Sequence, residues 1–143
     1  MKPLRQFDDF IKEGIVKIQS PDASRANFLI KESEKDFEFV NVIAKDHGIN
    51  DKSANSIVKL AYDVLMERIR SKMLLKGYNA IGQGAHEAEV SYMRHIGFSE
   101  NEVQFADQLR YHRNGMIYYG KMLDDEYASK VFSFMNKVFL RLK

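Results

Sequence analysis

The sequence predicts an all-α, up-and-down helical bundle of about five to six helices, folded as one domain over residues 1–143. Three observations carry that expectation. The only prolines are Pro3 and Pro21, so nothing later in the chain removes a backbone donor from a long helix. Apolar residues recur at spacings of three and four through six segments, the period of a helix with one buried face. No stretch alternates apolar and polar residues for long enough to read as a strand, so a β-sheet is not expected.

The first helix is expected from about Arg5 to Gln19, with Phe7, Phe10, Ile11, Ile15 and Ile18 at helical spacing. Ser20-Pro21 reads as a cap followed by proline at the first helical position. The second helix then runs to about Asp46 with Phe28, Leu29, Phe37, Val40 and Ile43 inward, and His47-Gly48 stops it. Asn50 or Asp51 caps a third helix reaching about Lys76, whose Ile57, Leu60, Ala61, Val64, Leu65, Ile69 and Met73 form a broad core stripe. Gly77, Gly82 and Gly84 mark a bend and loop before a fourth helix, from about Ala85 to His95, ending at Gly97. Ser99-Glu100-Asn101-Glu102 is a capping-box sequence opening a fifth helix that ends near Tyr119 and Gly120. Asp124 caps a sixth, carrying Ala128, Val131, Phe132, Met135, Val138 and Phe139.

Composition narrows the function classes. Hydrophobic residues make up 45% and charged residues 29%, with ten Phe and seven Tyr, enough apolar bulk to offset the entropy of ordering the chain. Cysteine is absent, which excludes disulfides, thiolate metal sites and a cysteine nucleophile and fits a cytoplasmic location. The first residues lack the apolar run of a signal peptide, and no segment has the uninterrupted apolar length of a membrane span. A formal net charge of +2 neither demands nor forbids a polyanionic partner.

Metal and cofactor motifs are wanting. None of His47, His86, His95 and His112 follows a glutamate by three residues, and His86-Glu87 is an adjacent pair whose side chains diverge on a helix. No metal site and no cofactor are therefore expected. Gly82-Gln83-Gly84 resembles a fragment of a phosphate loop, but the lysine and the preceding strand are missing, so it reads as a helix–helix connection.

The informative segment is residues 109–120. Val103, Ala106, Leu109, Met116 and Ile117 define an apolar helix face, and Arg113 falls on that same face. A guanidinium there must find acceptors, face a groove or enter an interface, because burying it unpaired is costly. Asn114 adds a donor and an acceptor, and Tyr118 and Tyr119 add two phenolic hydroxyls able to reach a phosphate or stack on a base. Gly115 costs about 1 kcal/mol inside a helix and would permit close approach of a second helix or subunit. The plainer alternative is a structural arginine paired with a carboxylate.

Arg113-Asn114 resembles the start of the signature of the HEPN family of small helical bundles, an arginine and polar residue followed by a histidine four to six positions on. Leu74-Leu75-Lys76-Gly77-Tyr78 and Gly84-Ala85-His86-Glu87-Ala88 also look like the mid-domain stretch of prokaryotic members, and the resemblance covers roughly residues 55 to 143. It implies a homodimer that brings two motifs together, an affinity for RNA or nucleotides, and in active members a metal-independent ribonuclease, often a toxin paired with a nucleotidyltransferase-type antitoxin. The chain departs from the pattern at the histidine, where Tyr118 or Tyr119 stands. Tyrosine, with a pKa near 10, is a poor general base at neutral pH. His112 precedes Arg113 and points about 100 degrees away around the helix, so it would serve only across a dimer interface.

Three readings follow. The first is a nucleotide- or RNA-binding module using Arg113, Asn114, Tyr118, Tyr119 and His112. The second is a metal-independent endoribonuclease in which Arg113 and Tyr118 are catalytic. The third is a dimeric scaffold with a structural Arg113, which an arginine buried against a carboxylate of its own chain would favour.

Overall fold

A computed structural model describes residues 3–120 and 122–143, with the side chains of 117–119 left aside. Six α-helices and one short ladder make up the described chain: α1 (Phe7–Lys12), β1 (Val16–Ile18), α2 (Ala23–His47), α3 (Ala54–Leu75), β2 (Tyr78–Ala80), α4 (Ala85–Ser91), α5 (Glu100–Tyr119) and α6 (Asp125–Leu142). A 3₁₀ turn over Tyr92–Ile96 extends α4. The all-α bundle is as expected. No helix among the described residues is long and apolar enough to cross a membrane.

Helix α3 is the hub, and α2, α4, α5 and α6 all pack on it. Its expected stripe is buried apart from Leu60, which is half-buried, and Val58, Tyr62, Met66 and Leu74 are buried as well. Burial nearly all round is what a helix surrounded by four others requires. Helix α6 closes one side with Ala128, Val131, Met135, Val138 and Phe139, and Phe139 stacks on Phe37 of α2 at 4.1 Å between ring centroids.

Several expectations are corrected. The first helix does not reach Gln19. It ends at Lys12, Gly14 takes a left-handed φ of 77°, and Val16–Ile18 turn extended to pair antiparallel with Tyr78–Ala80. Val16 enters the core while Ile18 is 72% exposed, so this short ladder, unforeseen in the sequence, spends one apolar residue on solvent. Gly77 makes the closing possible: its φ is 82°, its carbonyl accepts from Gln19 N at 2.8 Å, and a Cβ there would run into the Gln19 carbonyl. The second correction concerns helix starts. Asp22, not Ser20, caps α2 by accepting from Arg25 N at 3.0 Å. Ser53 precedes α3, and Asn50 instead holds the turn before it by accepting from Lys52 N and Ser53 N. Phe28, read as inward, is 61% exposed, because the core takes its neighbour Leu29.

The later boundaries follow local chemistry closely. Ser99 and Glu102 form the reciprocal capping box at 3.2 and 2.9 Å, and Asp124 accepts from Tyr127 N at 2.8 Å to start α6. Helix α5, started by the Ser99 box, carries Arg113 to α3, where it meets Asp63.

Candidate functional site

Helix periodicity places Tyr62, Met66 and Arg70 on one line of α3 and Asp63 and Glu67 on the next. His86 from α4 and Arg113 from α5 complete the wall of a cleft of about 170 Å³. Two arginine–carboxylate pairs frame it.

The inner pair is closed. Glu89, 1% exposed, accepts from Arg70 Nε at 2.5 Å and Nη2 at 3.1 Å. Its Oε1 also lies 3.2 Å from His86 Nδ1. Burial alone would raise the Glu89 carboxyl, but the hydrogen bonds from His86 and Arg70 hold it below the usual carboxylate range. A proton on Nδ1 facing Glu89 leaves His86 Nε2 with its lone pair when the ring is neutral.

The outer pair is open. Arg113 Nη2 donates to Asp63 Oδ1 at 3.3 Å, with the two side chains 24% and 42% exposed. The guanidinium lies 5.3 Å from the centroid of the Tyr62 ring. Arg113 Nε and the hydroxyl of Tyr62, a residue only 3% exposed, are both buried without a hydrogen-bond partner among the described residues. Burial pushes the Tyr62 phenol well above its ordinary value, with the Glu89 charge adding to the shift, so it stays a donor. Arg110, one turn earlier on α5, is committed within its own helix to Asp107 at 2.9 Å.

Carboxylates crowd the rim. Glu32 and Asp36 of α2 meet Glu67 of α3, with one oxygen from each lying within 4.8 Å of the others. Burial, then the hydrogen bond and charge of the neighbouring Asp36, pushes Glu67 up to about 8. Its buried Oε1 has no donor beside it, as expected where a carboxyl must share a proton with another. Asp63 is raised as well, by burial and by Asp36, against the pull of Arg113. Three convergent oxygens are the donor set a hard cation would use, a grouping the sequence reading did not foresee.

Of the described residues proposed from the sequence to bind a ligand, Arg113 lines this cleft. Asn114 is half-buried beside it and His112 packs edge-on against Tyr127 of α6 at 5.0 Å; neither is part of the cleft wall. The side chains of Tyr118 and Tyr119 lie outside the described residues. The residues that sequence reasoning missed sit on α3 and α4. His86 and Glu89 are three apart, a legible spacing obscured by pairing His86 with Glu87 instead. Glu32–Asp36 and Asp63–Glu67 are each four apart, and only the packing of α2 on α3 joins Glu32 and Asp36 to Glu67.

In comparisons with known proteins, no family model, no curated protein and no solved structure matches the chain.

Proposed function

We propose that this chain is a nucleotide- or RNA-binding module in which Arg113 contacts a phosphate. One observation carries the reading: Arg113 is turned into an open cleft beside His86 and Tyr62, with its Nε unsatisfied and a single long contact to Asp63. A purely structural arginine would be expected to resemble Arg70, whose fork is filled by Glu89. The resemblance of residues 55 to 143 to HEPN bundles agrees with this reading, and with it come a homodimer and RNA as the polyanionic partner. Mobility-shift and calorimetric titrations with nucleotides and short RNAs test it. Arg113→Ala is expected to weaken binding at least about tenfold while the bundle stays folded, and unchanged affinity in a folded variant removes the reading.

A metal-independent endoribonuclease of toxin–antitoxin type, paired with a nucleotidyltransferase-type antitoxin, is the second reading, and one observation favours it. The α5 motif lacks its histidine, yet His86, oriented by Glu89, faces the cleft of Arg113. Such a histidine would serve as general base or acid. RNA incubated with the protein in chelator would be cut by the parent chain and left whole by both Arg113→Ala and His86→Ala. The scaffold reading draws on the Arg113–Asp63 pair, which lies within one chain; its openness to solvent weighs against it.

A further inference from the structure

We infer that the cleft takes a terminal phosphate group, a phosphomonoester or free phosphate, and that Asp63 holds its place until it arrives. The inference rests on the binding role of Arg113 proposed above and specifies its ligand.

Size comes first. A cleft of about 170 Å³ is below the roughly 300 Å³ at which pockets begin to enclose a drug-sized molecule, so a nucleoside does not enter it. A phosphate group does. Donors come second. Arg113 Nε and the Tyr62 hydroxyl are buried with no acceptor among the described residues, an arrangement native interiors rarely leave without a purpose. Tyr62 is 3% exposed, so bulk water does not meet that need. His86 adds a ring nitrogen at the rim, and its half-exposed ring is open to a ligand. Arg113 Nε and the Tyr62 hydroxyl, joined by His86 Nε2 when its ring is protonated, match the three terminal oxygens of a monoester better than the two of a diester in mid-chain.

The electrostatics point the same way. Glu67, beside the cleft, is held toward its uncharged form by burial and by Asp36, with which it shares a hydrogen bond. Asp63 lines the cleft, Glu32 and Asp36 stand behind Glu67, and like charges on that side oppose a polyanion laid across it. A single end inserted toward Arg113 meets the fewest of them.

Asp63 explains how the donors are reached. Its carboxylate stands where an anionic oxygen would bind, on one guanidinium nitrogen at 3.3 Å. With both side chains partly in water, that pair is weak enough to exchange. Transfer of Arg113 from Asp63 to the ligand moves the guanidinium that lies over the Tyr62 ring and frees its Nε. Asp63 is thus an internal competitor, and its removal has the opposite effect from removal of Arg113. A structural ion pair makes no such distinction.

The test uses the full chain with inorganic phosphate, a nucleoside 5′-monophosphate, and one short oligoribonucleotide bearing a 5′-phosphate, a 3′-phosphate or neither. Calorimetry and fluorescence anisotropy give the affinities, and circular-dichroism melts confirm that each variant is folded. A phosphorylated end is expected to bind about tenfold or more tightly than the unphosphorylated strand, and inorganic phosphate to compete for it. Asp63→Asn should tighten binding by about three- to tenfold, Arg113→Ala should weaken it by about tenfold or more, and Tyr62→Phe should weaken it by about three- to tenfold. The monophosphate and the two phosphorylated strands identify which source of the group is taken. Equal affinity for all three strands, still lost with Arg113→Ala, overturns this inference and leaves the binding role standing. Binding that ignores Arg113 overturns both. Weakening by Asp63→Asn rejects the competitor role and the inference with it.

Discussion

Arg70 and Arg113 reach into the same cleft, each beside an acidic partner, yet they are built for different ends. Arg70 meets Glu89 through two nitrogens, and Glu89 is sealed in the interior with His86 as a further contact. Arg113 meets Asp63 through one nitrogen at 3.3 Å, partly in water, and leaves its Nε unsatisfied. The first pair would be expensive to open, because either ion left alone in the interior has lost its solvent. The second can exchange partners at little cost. The binding role proposed for the cleft would use both, a fixed wall to orient the histidine and a movable cation to receive the ligand.

Breaking the closed pair gives the largest expected effect. Glu89→Ala strands the Arg70 charge and should cost about 3–5 kcal/mol in urea denaturation. The double substitution Arg70→Met with Glu89→Leu removes both ions and should recover most of that loss. A double variant no more stable than Glu89→Ala would mean that the pair specifies local packing as well as charge balance.

Next comes the shared proton at the rim. In the folded chain Glu67 is raised from 4.5 to about 8, so the folded state binds its proton more tightly than the unfolded state does. Stability from this group is therefore present below about pH 4.5 and declines as pH rises toward about 8. Glu67→Gln should flatten that decline and stabilise the fold at pH 8 by about 1–2 kcal/mol, discounted for the partial exposure of the group. Thermal melts across that pH range check it, and a parent chain with a flat profile would place Glu67 among ordinary carboxylates.

The smallest effect belongs to the open pair. Arg113→Ala and Asp63→Ala should each change folding stability by less than about 1 kcal/mol, measured in the same urea titrations. A loss as large as that of Glu89→Ala would erase the contrast and return Arg113 to a structural role.

Much of the bundle was legible because it depends on neighbours in sequence. The 3–4 periodicity of α3, the Ser99–Glu102 box and the Asp124 cap act over one or two helical turns, and the structure keeps all three. The β1–β2 ladder was not legible. Val16–Ile18 continue the helical spacing of Phe7, Phe10 and Ile11, and only pairing with residues some sixty positions away overrides it. The site divided in the same way. Arg113 stood out as a charge on the apolar face of its own helix, whereas Tyr62, Glu67, Arg70 and His86 look ordinary until α3, α4 and α5 come together.

Periodicity, caps and the lack of later prolines determine that this chain is helical and where its last helices begin, because each acts through backbone geometry and contacts a few residues apart. Tertiary structure alone decided which arginine meets a sealed carboxylate and which meets one open to water. That difference is set by how much water and how many donors the packing of α3, α4 and α5 leaves around Glu89 and Asp63, and spacing along the chain does not encode either quantity.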